Sequence, residues 1–329
     1  MPLLLWIVFF LISAGLGYPT LSRYDARQWN PDVAEYFKMV TGGPSATTIA
    51  GYQHRILVPL LARLVCKVVG RHLLGSWDPT SFSVLFVCSA FVACVAYLIV
   101  TLGAEILGNY TVALLGATLY LLNYSVANEM LSGLIDVGEA CALMGLTYLL
   151  YRRRLYLLPL VAILGSLAKE TFVPFAVVFL LTWMVAEHRP PLHTATAVAV
   201  TSCLGVGTIM LAHFLVTGTA LWHSGISAGL SAGSGYLSRF LLTFSVRGVW
   251  YTFVWLVPLA IWKLRAFPRA WLCSTVTASL VALILNAYHN RSEDLVAVAR
   301  PLFSIAGPLL SLSAAAFVAS NAHRERLRT

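Results

Sequence analysis

Two parts of the chain gather side chains able to move a proton or grip an anion. The first is the stretch Tyr24-Asp25-Ala26-Arg27-Gln28-Trp29-Asn30-Pro31-Asp32-Val33-Ala34-Glu35-Tyr36-Phe37-Lys38, followed shortly by His54-Arg55. The second is dispersed: Asp136, Glu139, Lys169, Glu170 and Arg300 each stand at the edge of an apolar run. A carboxylate such as Asp32 or Asp25 has the chemistry of a general base. Arginine suits bidentate contact with phosphate, and lysine acts on it as a point charge. Each has a plainer role: Asp32 complementing a helix dipole, Asp25 in a surface cluster with Arg23 and Arg27, and Arg55 and Arg300 anchoring to lipid headgroups. Lys169 equally suits an ion pair with Asp136 or Glu139 across a bundle. His54 and His289 lack HxxxH or carboxylate partners at ligand spacing, so no metal and no cofactor are expected.

The elements that hold these groups follow from composition and periodicity. Of 329 residues, 59% are apolar and 11% charged, against about 25% charged in a soluble domain. A chain this poor in charge needs a lipid-facing exterior. Runs such as Phe82 to Val100 and Pro301 to Val318 hold no Asp, Glu, Lys or Arg, and a bilayer span needs about 20 apolar residues. The sequence therefore predicts an all-α polytopic transmembrane bundle in one domain, 1–329, of about ten spans. These lie near 2–18, 81–102, 110–126, 134–151, 155–168, 171–186, 194–217, 248–264, 270–288 and 301–319. The run from Pro2 has no basic n-region and reads as a retained span rather than a signal. Outer loops cover about 18–80 and 218–247. In the first, Asn30-Pro31 is a helix-start signal. Val33, Tyr36, Phe37 and Val40 then recur at i, i+3, i+4 and i+7, the apolar face of a short helix on the membrane surface. Arg55 to Gly70 reads as a second interfacial helix.

Short loops rich in Lys and Arg mark the cytoplasmic side. Arg152 to Arg154, Arg189, Lys263, Arg265, Arg269 and the basic tail fall on one side, which places both termini in the cytoplasm. The acids then sort unequally, with only Glu105, Glu187 and Glu325 cytoplasmic. The net charge of +9 reflects topology, and no basic block points to nucleic acid. All six cysteines lie in apolar runs, without a CxxC pair, and read as small core residues. The glycine- and serine-rich run Ser224 to Gly235 fits neither a phosphate loop nor a dinucleotide fingerprint and reads as an outer loop, able to serve as a lid. Trp222, Tyr236 and Trp250 read as interface residues.

A first span followed by an outer amphipathic helix with Asp-x-x-x-Tyr (Asp32, Tyr36) resembles the GT-C superfamily of polyprenyl-phosphate-sugar-dependent glycosyltransferases, including protein O-mannosyltransferases and lipid A aminoarabinose transferases. Tyr52-Gln53-His54-Arg55-Ile56-Leu57-Val58-Pro59-Leu60-Leu61, Ser132-Gly133-Leu134-Ile135-Asp136, Leu167-Ala168-Lys169-Glu170-Thr171 and Arg300-Pro301 are similar to further short motifs of that superfamily, in order. The chain departs from it in lacking the usual doubled acid at 32–33 and a sizeable C-terminal soluble domain. The resemblance implies an inverting transfer from a lipid-linked phosphosugar to an acceptor hydroxyl of a glycan, lipid or protein. It places the site at the periplasmic face of a bacterial inner membrane. It makes Asp32 the base with Asp25 as alternative, gives the donor phosphate to Arg55, Lys169 and Arg300, and leaves Tyr36, His54, Asp136, Glu139 and Glu170 in support. A secondary transporter of an anionic solute and a non-catalytic relative are the rival readings.

Overall fold

The computed structural model describes residues 2–28, 30–47, 52–73, 77–187, 192–218, 236–289 and 298–326. The expected loop 224–235 and Trp222 lie outside them, as do the side chains of Tyr236, His289, Arg291, Glu293 and Asp294. The described residues form helices joined by turns and short irregular segments, with no strand among them. In order, the helices are α1 (Pro2–Tyr18), α2 (Pro31–Gly42), α3 (Leu57–Leu73), α4 (Pro79–Leu107), α5 (Tyr110–Leu121), α6 (Asp136–Tyr151), α7 (Leu158–Ala168), α8 (Phe172–Ala186), α9 (Leu192–Thr217), α10 (Tyr236–Thr243), α11 (Arg247–Phe253), α12 (Leu256–Ala260), α13 (Arg269–His289) and α14 (Ala299–Arg326).

Helices occupy all ten positions expected to span, but they are not ten equivalent rods. Five are long and apolar enough to cross a bilayer: α1, α4, α9, α13 and α14. Two more crossings form if bent pairs count. Tyr110–Leu121 meets Ser125–Ser132 at 46°, and Leu237–Thr243 meets Arg247–Ala260 at 50°. The second pair begins inside the stretch expected to be the loop 218–247. The other three, α6, α7 and α8, have 16, 11 and 15 residues. At 1.5 Å per residue α7 is about 16 Å long, short of a hydrocarbon core of about 30 Å.

α4 and α14 form the interior. α4 packs against α1, α3, α5 and α6, while α14 packs against α5, α6, α12 and α13. α1 faces outward with Leu3, Leu4, Ile7, Val8, Leu11 and Ile12, the apolar exterior that a lipid solvent requires. α4 starts on an Asp78 cap, whose carboxylate accepts the N–H groups of Thr80 and Ser81, and stops at Gly108 in the left-handed conformation.

Charges divide between the two ends of the bundle. At one end Arg152 pairs with Glu105, and Arg153 with Glu187 at 3.2 Å, tying together the last turns of α4, α6 and α8. At the other end lie Asp32, Arg55, Asp136, Lys169, Glu170 and Arg300. These charged residues thus form two separate groups, one at each end.

One close approach sets this second cluster. A Cβ on Gly138 would lie 2.8 Å from that of Ala168, so only glycine lets the end of α7 close on α6. The next residue, Lys169, is thereby delivered to the acids of α6.

Candidate active site

Asp32 lies in the first turn of α2. Asn30 caps the helix, its side chain accepting the Asp32 N–H at 3.1 Å, and Pro31 supplies a preset φ at the first helical position. The predicted apolar face is buried at Val33, Tyr36, Phe37 and Val40, so α2 is clamped and Asp32 is held toward the cluster. Its Oδ1 accepts the Tyr52 hydroxyl at 2.7 Å. Its Oδ2 is 3.8 Å from Arg300 Nη2.

Arg55 is held on several sides. Its Nε donates to Glu170 Oε2 at 2.7 Å, its Nη2 to Glu170 Oε1, and its Nη1 to the Tyr36 hydroxyl at 3.0 Å. Its guanidinium also lies over the Tyr52 ring, 4.2 Å from the centroid, and Tyr52 stacks on Tyr36 at 5.4 Å. His54 Nε2 is 3.3 Å from Glu170 Oε2. Burial by itself raises the Glu170 carboxyl, but the Arg55 charge and the His54 contact outweigh it and hold the group well below its ordinary range. Burial and the bond to Asp32 push the Tyr52 hydroxyl upward, which keeps it a donor.

A second knot lies beside the first. Lys169 Nζ donates to Asp136 Oδ1 at 2.7 Å and lies 3.5 Å from Glu139 Oε2. Thr171 Oγ1 donates to Glu139 Oε1 at 2.5 Å. Arg300 Nη1 donates to Asp136 Oδ2 at 3.2 Å, so Arg300 bridges Asp136 and Asp32. Three cations thus interleave with four carboxylates, and Asp136 and Glu139 are almost fully buried. Buried charges persist when paired and hydrogen-bonded.

Beside Arg300 opens a cavity of 790 Å³, lined among others by Tyr24, Asn30, Tyr124, Asn128, Glu129 and Arg300. Of the three expected phosphate ligands, Arg300 is the one on this wall. A second hollow, of 530 Å³, runs along α14 from Leu302 to Leu310 and is walled by Trp250, Phe253, Val257 and Pro258. It is almost wholly apolar and starts two residues after Arg300.

Asp25 stands apart. Arg27 donates Nε to its Oδ1 at 2.6 Å and Nη2 to its Oδ2 at 3.0 Å, and Arg27 reaches on to Asp78 at 3.4 Å. The hydrogen bonds from Arg27 hold the Asp25 carboxyl below its usual value. The group lies in a separate surface hollow with Trp77 and Asp78, away from the Asp32 cluster. Asp25→Asn is expected to leave function unchanged and to cost no more than about 1 kcal/mol, as for exposed pairs; thermal denaturation beside an activity assay checks both.

The remaining site residues anticipated from sequence, Asp32, Tyr36, His54, Arg55, Asp136, Glu139, Lys169, Glu170 and Arg300, come together. Sequence reasoning missed Tyr52 and Glu129 as site residues. Tyr52 is in the stretch with Arg55, but only the folded loop aims its hydroxyl at Asp32. Glu129, whose Oε2 accepts the Ser125 hydroxyl at 2.9 Å, reaches the cavity because the α5 pair bends.

Compared with protein-family models, curated proteins and solved structures, the chain matches none.

Proposed function

We propose that this protein is a membrane glycosyltransferase of the GT-C kind, moving a sugar from a polyprenyl-phosphate donor to an acceptor hydroxyl. The observation carrying this reading is Arg300. It stands 3.8 Å from the Asp32 carboxylate, on the wall of a 790 Å³ cavity, and its helix borders an apolar hollow further along. A lipid phosphate seated on Arg300 would have its sugar in the cavity, beside a carboxylate, and the apolar outer face of the bundle is open to its chain.

In the reaction, the acceptor oxygen attacks the anomeric carbon from the face opposite the phosphate. Asp32 Oδ2 takes the acceptor proton, the bond from the anomeric carbon to the phosphate oxygen breaks, and polyprenyl phosphate departs with the electron pair. Tyr52 fixes the carboxylate through Oδ1. Arg300 meets the charge that grows on the leaving phosphate, the kind of fixed electrostatic help that gains most where water is excluded. Lys169 lies behind it. Arg55, held by Glu170 and Tyr36, serves to shape the loop. Ten crossings with both termini cytoplasmic would put this end of the bundle on the periplasmic side of a bacterial inner membrane.

A test is to incubate purified protein and cell-envelope acceptor extract with a panel of polyprenyl-phosphate sugars and measure released polyprenyl phosphate. Release is expected with the native protein and is lost in Arg300→Ala; no release from any donor would sink the reading. The two bent helix pairs favour a second reading, a secondary transporter, because broken spans commonly line transport sites. Uptake of an anionic solute into proteoliposomes without lipid cleavage would support it. Against it, the charges gather at one end of the bundle and not midway.

A further inference from the structure

Among the described side chains, α3 carries two cations that the site does not use, Arg63 and Lys67. The helix buries Val58 and Ala62 against a bundle in which it packs on α2 and α4. It turns outward Leu60, Leu64 and Val68, which are 46%, 51% and 80% exposed. This i, i+4, i+8 stripe is the kind of apolar face with which a helix lies in a membrane interface. Arg63 and Lys67 repeat at i, i+4 along its flank. Arg27, Lys38, Arg55, Lys169 and Arg300 each have a carboxylate within 4 Å. Arg63 and Lys67 have no hydrogen bond or ion pair among the described residues.

Both line one hollow of 530 Å³, between α2, α3 and the start of α4. Asp78 also borders it, but its oxygens are occupied. They accept the Ser81 hydroxyl at 2.7 Å, the N–H groups of Thr80 and Ser81 at 3.2 and 3.3 Å, and Arg27 at 3.4 Å. Gly43 has a φ of +94°, and a Cβ there would lie 2.6 Å from Arg63 Nη1. The backbone is thus shaped for the guanidinium to rest against it.

We propose that this hollow binds the headgroup of an anionic phospholipid, with its phosphate between Arg63 and Lys67. Its acyl chains run along Leu60, Leu64 and Val68. Two cations against the single carboxylate of Asp78, already bonded elsewhere, leave the hollow net positive until an anion enters, and beside an exposed apolar stripe the matching anion is one that carries its own chains. A zwitterionic lipid brings a balancing amine into the same hollow and fits less well. The site is distinct from the Arg300 cavity and does not depend on the glycosyl-transfer reading.

The test is native mass spectrometry of the detergent-solubilised full chain titrated with phosphatidylglycerol, phosphatidylcholine or inorganic phosphate. At about 1 kcal/mol for each cation near the surface, Arg63→Ala with Lys67→Ala weakens phosphatidylglycerol binding about 30-fold and leaves phosphatidylcholine unchanged. The exchange Arg63→Lys with Lys67→Arg keeps most of the binding, which separates charge from packing. A thermal midpoint matching wild type in phosphatidylcholine nanodiscs shows that the double variant is folded. Equal phosphatidylglycerol affinity in the folded double variant overturns the proposal, and so does inorganic phosphate displacing the lipid at similar concentration.

Discussion

Asp32→Asn is expected to lower polyprenyl-phosphate release by about 10²–10⁴-fold, the range set by loss of a positioned general base. Asparagine is close to isosteric, and its amide oxygen can still accept the Tyr52 hydroxyl that now rests on Oδ1 at 2.7 Å. The side chain should therefore stay in place while the proton acceptor is gone. The cost to folding is small: loss of a first-turn carboxylate near a helix N-terminus is worth about 0.3–1 kcal/mol, and the Asn30 cap is untouched. The contact with Arg300 is also weakened, but at 3.8 Å it is the looser of that arginine's two, since Asp136 stays at 3.2 Å. The measurement is single-turnover release of lipid phosphate at saturating donor, beside the thermal midpoint. A variant that keeps both its fold and its rate removes Asp32 as base.

What could be read in advance depended on how local its cause was. Asn30, Pro31 and the four apolar positions of α2 act within one short helix, so its start, its buried face and the place of Asp32 were legible. Lys169 beside Asp136 or Glu139 was legible as charge complementarity between span ends. Glu170 on Arg55 was not, because those residues are 115 positions apart and nothing local tells which acid a buried arginine will meet. The bends after Leu121 and Thr243 escaped for a different reason. Hydropathy reports how much of a segment can sit in lipid and says nothing of where its axis turns. Straightness depends on backbone bonds and tertiary neighbours, so the span read over 110–126 breaks after Leu121, and the span read over 248–264 is joined at a bend by a helix in the stretch read as a loop. The short α7 was visible as a short run, yet its close packing on α6 turns on Gly138 meeting Ala168, a long-range contact. Tyr52 and Glu129 were missed because both are placed by such features.

The second large effect is structural. Glu170→Gln is expected to destabilise the fold by about 1–3 kcal/mol at neutral pH, the cost of leaving a largely buried arginine without its charged hydrogen-bond partner. Arg55 is 15% exposed, and both Nε and Nη2 of its guanidinium donate to this one carboxylate. The Tyr36 hydroxyl alone cannot replace it. The folded-state carboxyl is held below its ordinary value of 4.5, because Arg55 and His54 outweigh the upward push of burial. A depressed carboxylate contributes stability that is fully present above the unfolded value and lost as pH falls toward the folded one. The gap in thermal midpoint between wild type and Glu170→Gln should hence be constant from pH 7 to about pH 5. It should narrow below 4.5, as the unfolded wild-type chain begins to bind a proton that the folded one resists. Arg55→Ala on its own should be comparably costly, whereas Arg55→Met with Glu170→Leu should recover much of the loss, since matched apolar replacement of a buried pair is often neutral. Thermal melts of the four proteins across that pH range decide it. A wild-type-like midpoint for Glu170→Gln at pH 7 would free Arg55 from its structural role and return it to the donor phosphate.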